Sequence, residues 1–162
     1  GALPRKLHVE GFEKGIEACD YLLNKKKVGD TVVIIGGGLT GCEIAYDLYL
    51  KGKKPIIVEM KNDLIAVKGV CLANSSYLRD FFALNKVEVH LETSLSKITD
   101  KGVLVKDKEG KEFEITADSV ILSVGYIPSP VARKGVKIVG DAKAVGNLRS
   151  VIWGAWDVAM KL

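Results

Sequence analysis

Residues 31–59 read TVVIIGGGLTGCEIAYDLYLKGKKPIIVE. The stretch divides into strand, glycine turn, helix, turn and strand. Residues 31–35 are all β-branched, as a buried parallel strand requires. Gly36, Gly38 and Gly41 follow directly as G-x-G-x-x-G. Ile44, Ala45, Leu48 and Tyr49 recur at helical spacing, Gly52 ends that helix, and residues 55–58 begin a second apolar strand. Glu59 closes that strand, 23 positions after Gly36, close to the roughly 20-residue spacing of an acid that binds ribose.

Each residue type has a physical task in such a unit. Gly36 allows the tight turn off the strand, Gly38 lets a pyrophosphate approach the backbone, and Gly41 lets the helix pack close to the strand. The helix start offers free N–H groups and its positive dipole end to phosphates. The Glu59 carboxylate can accept both hydroxyls of an adenosine ribose. Leu39 and Thr40, inside the turn, and Met60, beside Glu59, complete the candidate binding set. The pattern predicts dinucleotide binding. A turn that binds nothing accounts poorly for Gly37, a third flexible residue at additional entropic cost.

Composition narrows the partners. The 162 residues suit one domain of ordinary size, and 48% apolar residues allow a sizeable core. The net charge of +4 comes from 24 basic and 20 acidic residues in a mixed pattern, without the basic patch and recognisable module of a nucleic-acid binder. The basic run at 25–27 reads as a solvated helix end. Cys19, Cys42 and Cys71 are odd in number and far apart, with no C-x-x-C, and the histidines are His8 and His90 alone, so no metal site is expected. Cys42 reads as a small packing residue, although a thiol near a helix start can have a lowered pKa. The cysteine pattern fits a reducing, cytoplasmic setting. No signal peptide and no apolar run near 18 residues is seen, so no membrane partner is expected.

Outside the opening stretch, residues 1–10 look loosely structured. Phe12, Ile16, Cys19, Leu22 and Leu23 predict an amphipathic helix over 12–25. Residues 60–69 are irregular, with a short helical turn expected at Asp63, Leu64 and Ile65. Asn74, Ser75 and Ser76 are candidate caps for a helix to about residue 85. Val87, Val89 and Leu91 alternate as a third strand. Residues 95–99, 103–107 and 111–115 are short alternating segments split by glycine turns, an antiparallel three-strand meander expected to cover one side of the sheet. Residues 119–124 return as an apolar core strand. Residues 136–139 predict a short strand, and 148–162 a helix burying Val151, Ile152, Ala155, Val158 and Ala159. This order is an α/β plan with a parallel sheet.

VVIIGGGLTGCEIAYDL at 32–48, IIVE at 56–59, the meander and ILSVGYIPSP at 121–130 resemble the pyridine-nucleotide-disulfide-reductase superfamily. The closing text VGDAKAVGNLRSVIWGAWDVAMKL at 139–162 is similar to the C-terminal region of 2-enoate and 2,4-dienoyl-CoA reductases, multi-domain relatives of old yellow enzyme. The resemblance implies a Rossmann-like NAD(P)H-binding domain at 28–126, with flanking pieces of a flavin domain at 1–27 and 127–162. Beyond these it implies partners in the remainder of the flavin domain, which holds FAD, and in a barrel with FMN and a 4Fe-4S cluster. Chemistry in such an enzyme is hydride transfer from NADH to FAD, with an activated C=C bond reduced elsewhere, and this chain alone would bind NADH and reduce nothing.

By the same resemblance Gly36, Gly38 and Gly41 cradle the NAD(P)H pyrophosphate, and Glu59 binds ribose and disfavours a 2′-phosphate, with Lys61 leaving NADPH open. Glu43 matches an acid near the nicotinamide end, the alternative being a solvent-facing or first-turn acid that suits the helix dipole. Gly125 matches a glycine along which the backbone passes close to the dinucleotide. Asp141 matches an aspartate that bonds the ribityl chain of FAD, the alternative being an ordinary turn residue. Two other classes stay open. A free-standing dehydrogenase would need an acid–base residue, and His8, His90 and Tyr126 lie in no catalytic motif. A nucleotide-sensing module would need an interaction surface, for which Trp153 and Trp156 are candidates.

Overall fold

Thr31 and the four residues after it make a central strand because β-branched side chains are stiff at χ1 and pack well on a pleated surface. The computed structural model describes residues 1–66, 69, 71–131 and 133–161. In chain order the elements are β1 (Ala2–Pro4), a 3₁₀ turn at Phe12–Lys14, β2 (Ile16–Glu17), α1 (Ala18–Leu22), β3 (Thr31–Ile35), α2 (Leu39–Leu50) and β4 (Lys54–Val58). There follow α3 (Leu72–Leu84), β5 (Glu88–His90), β6 (Ser94–Thr99), β7 (Gly102–Lys106), β8 (Glu112–Thr116), β9 (Ser119–Leu122), β10 (Tyr126–Pro128), a 3₁₀ turn at Gly140–Ala142 and α4 (Leu148–Ala159). They gather into two compact units, Lys6–Val124, and Gly1–Arg5 with the residues from Gly125 onward.

The larger unit has three layers. Its centre is a parallel sheet in the order β2-β9-β3-β4-β5. Successive strand residues point to opposite faces. Val32, Ile34, Ile57 and Ile121 therefore pack with Ile44, Leu48, Leu78 and Phe82 of the helices. Val33, Ile35, Ile56, Val58, Val120 and Leu122 pack on the other side with Ile98, Val103, Val105 and Ile115 of the antiparallel meander β6-β7-β8. Both faces of β3 are covered, which is why the strand is apolar and buried from Val32 to Ile35. The α/β class and the meander on one side agree with the expectation from sequence.

Several local expectations give way to tertiary contacts. The helix expected over 12–25 is instead the 3₁₀ turn, β2 and the five-residue α1. Gly15 is extended, at φ −73 and ψ 153, and a Cβ there would lie 2.5 Å from Leu122 Cδ1. The chain runs on as an edge strand, with Ile16 opposite Ile121. The helix expected to be capped by Asn74, Ser75 or Ser76 starts earlier, after Cys71, without a side-chain cap. Ser75 is buried inside it and its Oγ donates to the Leu72 carbonyl at 3.1 Å. The turn at residues 63–65 is not helical, because Ile65 has φ +52. Val67 and Lys68 of the irregular stretch at 60–69 lie outside the described residues.

In the smaller unit, residues expected to be loose form β1, which pairs antiparallel with β10, Ala2 facing Pro128. No strand forms at 136–139. Helix α4 is fixed at its start by a capping box: Asn147 Oδ1 accepts from the Ser150 N–H and Ser150 Oγ from the Asn147 N–H, both at 3.0 Å. It ends at Ala159, and residue 162 of the expected helix lies outside the described residues. Of the expected buried side only Val151 and Val158 are half-buried; Ala155 and Ala159 are exposed, Ile152 is 66% exposed, and no residue of α4 is fully buried. Among the described residues no helix is long and apolar enough to cross a membrane.

Candidate functional site

The glycine turn leaves the C-terminal end of β3, where β4 lies on one side and β9 on the other. The chain order reverses there, and open α/β sheets bind ligands at such a point. Gly36 has φ +107, a conformation that suits glycine, and a Cβ there would run into the Ser123 carbonyl. Its N–H donates to the Val58 carbonyl at 2.8 Å. Gly41 sits in the first turn of α2, where a Cβ would run into the Gly36 carbonyl. These two glycines let the helix start directly over the strand end. Gly38 is the N-cap of α2, has no side-chain cap, and a Cβ there would meet nothing within 4 Å. Leu39 and Thr40 are half-buried in the first turn of α2.

Gly37 has the most contacts of the turn. Its N–H donates to Glu59 Oε2 at 2.6 Å. Its carbonyl accepts from the Ile65 N–H at 2.7 Å and from Cys42 Sγ at 3.4 Å. A Cβ on Gly37 would lie 2.6 Å from Leu64 Cδ2 and 2.9 Å from Glu59 Cβ. The residue is therefore glycine for want of space, and loop flexibility does not explain it. Sequence reading missed this role because Leu64 is 27 positions away.

Glu59 follows β4 and is 7% exposed. Its backbone is tied to the segment after β5, with N–H to the His90 carbonyl at 2.8 Å and carbonyl from the Thr93 N–H at 2.9 Å. Besides Gly37, its carboxylate accepts from the Lys61 N–H at Oε1, 2.8 Å. Each oxygen thus takes one backbone donor and keeps acceptor capacity for another. The Lys61 ammonium turns away to the Ala66 carbonyl at 3.2 Å. Met60 is 74% exposed beside this carboxylate.

Cys42 is fully buried. Burial first, and then the Glu59 charge, push its thiol up to about 12, so it stays protonated and packs. Glu43 is exposed and lies just past the first helical turn, which holds no acid. The structure thus gathers Gly36, Gly38, Leu39, Thr40, Gly41, Glu59 and Met60 around one turn. Gly125 and Asp141 belong to the smaller unit. There Gly125 has φ +87 with open space where a Cβ would be, and Asp141 Oδ1 accepts from the Gly146 N–H at 3.1 Å. Sequence reading also missed Asp63, Leu64, Ile65 and Arg79, which pack behind the turn. No local pattern links them, since Arg79 lies 16 positions after Asp63.

The fold and its glycine turn have clear counterparts. The chain is 40% identical over its whole length to a cinnamate reductase of Clostridium sporogenes, of which it covers 25%. It is 32% identical to an NADH oxidase of Thermoanaerobacter brockii, again over the whole chain and 27% of that protein. Among solved structures, a 2-naphthoyl-CoA reductase superposes on all of it at a TM-score of 0.84 and 25% identity, the chain covering 26% of that protein. The chain therefore spans about a quarter of the length of these relatives. The sequence profile of the pyridine nucleotide-disulphide oxidoreductases matches residues 1–149. By that match, and by the glycine turn on a parallel α/β sheet, the chain belongs to the pyridine nucleotide-disulphide oxidoreductase family.

Proposed function

We propose that this chain docks NADH within a flavin-dependent reductase of the 2-enoate type. The observation that carries the reading is the pairing of an uncapped α2 start at Gly38 with the Glu59 carboxylate, held against the same turn at 2.6 Å. A pyrophosphate fits the first part, because Gly38 opens on free space and the helix start offers N–H donors. A ribose fits the second, because each Glu59 oxygen keeps acceptor capacity. Gly36 and Gly41 hold the two parts in register, while Leu39, Thr40 and Met60 line them.

Glu59 favours NADH over NADPH by repelling a 2′-phosphate, and the Lys61 ammonium is engaged at Ala66. Glu43 reaches toward the nicotinamide end, and Gly125 lets the backbone run close to the dinucleotide. When bound, NADH supplies a hydride that a flavin accepts. The residues of this chain orient the donor and do no further chemistry. The smaller unit is then the flavin-domain portion, with Asp141 facing the FAD ribityl chain, while residues 6–27 pack within the larger unit. Segments like those that make the relatives about four times longer would supply the rest of the FAD site, an FMN barrel and a 4Fe-4S cluster. The cinnamate reductase likeness points to an unsaturated acid as the substrate reduced there, in a reducing cytoplasm. The exposed face of α4, with Leu148, Trp153, Trp156 and Met160 each more than half exposed, is the surface the remaining flavin domain covers.

Fluorescence titration of the chain with NADH, NADPH and FAD tests this. The expected result is saturable NADH binding, NADPH weaker by about tenfold, or 1.4 kcal/mol, and no retained FAD. Tight FAD binding without NADH binding would sink the reading. A Glu59→Ala chain with an undiminished preference for NADH would remove the role given to that carboxylate.

A further inference from the structure

Residues 59–66 run from the Glu59 carboxylate to the back of the glycine turn. At their far end the Ile65 N–H holds the Gly37 carbonyl at 2.7 Å. Ile65 does this with φ +52, a left-handed conformation that β-branched residues avoid. Such a conformation persists only where its surroundings over-determine it. Part of that surrounding is the core, since Leu64 and Ile65 are 6% and 3% exposed. Another part is Arg79 of α3. Its guanidinium grips the Asp63 carboxylate in a two-point bond, Nε to Oδ1 at 3.1 Å and Nη2 to Oδ2 at 2.9 Å. The same Nη2 donates to the Leu64 carbonyl at 2.5 Å. Arg79 therefore holds the side chain and the carbonyl of the two residues that precede Ile65.

Resting on the NADH-docking reading, we infer that Arg79 is a positioning residue for the dinucleotide turn. Through Asp63, Leu64 and Ile65 it fixes the Gly37 carbonyl, opposite the Glu59 bond that fixes the Gly37 N–H. With both sides of Gly37 held, Gly38 and the start of α2 are presented to the ligand without rearrangement. The Arg79 and Asp63 side chains are 31% and 53% exposed, so the pair adds little to global stability. A turn-specific effect can therefore be separated from unfolding.

The test uses the whole chain with Arg79→Met, Arg79→Lys and the near-isosteric Asp63→Asn. The first readout needs no ligand: amide hydrogen exchange at Gly37 and Ile65 by NMR. Arg79→Met should speed both by about tenfold while Ile34 in β3 keeps its protection. The second readout is NADH affinity, expected to fall about fivefold to tenfold in Arg79→Met and Asp63→Asn, and less in Arg79→Lys, which keeps the charge without the fork. Unchanged exchange at Gly37 and Ile65 overturns the inference whether or not NADH binds. Faster exchange with NADH affinity within about twofold of the parent also overturns it, since the turn would then be held but not positioned for ligand. A parent chain that binds no NADH, with exchange still accelerated by Arg79→Met, defeats the docking reading and leaves the strut as architecture alone.

Discussion

The larger unit closes its own core, and the smaller one does not. In the larger unit, Val32, Val33, Ile34, Ile44, Leu48, Ile57 and Ile121 are fully buried, with helices on one face of the sheet and the meander on the other. In the smaller unit, α4 is well capped yet has no fully buried residue, and Leu148 is 81% exposed. Its start signal is local and complete, whereas its apolar side is at most half-buried, with Val151 lying against Gly140 of the 3₁₀ turn. A helix of this kind draws most of its stability from packing an amphipathic face. The contrast teaches that self-sufficiency and sequence regularity are separate properties.

The largest test of this contrast sets core truncation against truncation in α4. Ile34→Ala should cost about 3–4 kcal/mol of unfolding free energy. Trp156→Ala should cost within about 0.5 kcal/mol in this chain. Urea unfolding followed by circular dichroism measures both. A Trp156→Ala penalty as large as that of Ile34→Ala would show that α4 already has a partner in solution, such as a second copy. In a polypeptide that carries a whole flavin domain, the same tryptophan change should cost about 3 kcal/mol.

The glycine turn offers a sharper version within the larger unit. Gly41→Ala drives a methyl into the Gly36 carbonyl and should cost about 3 kcal/mol. Gly38→Ala meets no atom within 4 Å and should leave the melting temperature nearly unchanged, while NADH affinity falls about tenfold. Equal loss of stability in both would refute the division into packing glycine and ligand-facing glycine. Glu59→Gln comes next. An amide in place of the carboxylate turns one acceptor into a donor facing a backbone N–H, at a cost of about 2 kcal/mol, readable by urea denaturation.

The smallest effect joins α1 to α2. Burial alone would raise the Asp47 carboxyl, but hydrogen bonds from Lys51 and Tyr21 outweigh it and hold the group below the usual carboxylate range. A depressed pKa in the folded state stabilises above the unfolded value, near 3.9, and that contribution is lost as pH falls through the folded value. Asp47 and Lys51 side chains are 43% and 54% exposed, so the expected term is at most a few tenths of a kcal/mol. Unfolding of the parent and Asp47→Asn at pH 7 and pH 3 should differ by that much at pH 7 and converge at pH 3.

Much of the larger unit is legible in the sequence. The β-branched run at β3, the alternation in β7 and the glycine spacing each carry their cause in neighbouring residues. The failures share a different cause. Periodicity over 12–25 favoured a helix, but Ile16 finds a pairing edge on Ile121, 105 positions away. Serines before a helix suggested a cap, but Ser75 was claimed by the interior of α3. Val151 and Val158 marked a buried side for α4, and the unit covers those two only halfway while Ile152 stays exposed.

By itself, the sequence determined the layer plan, the glycine turn and the acid placed to face it. Those depend on backbone sterics, side-chain alternation and short spacings, which act within one βαβ unit. Only the tertiary structure decided why Gly37 is glycine, how Glu59 is latched, and that Arg79 stands behind the turn. Those depend on which distant surfaces meet, and contact between residues far apart in the chain leaves no periodic trace along it.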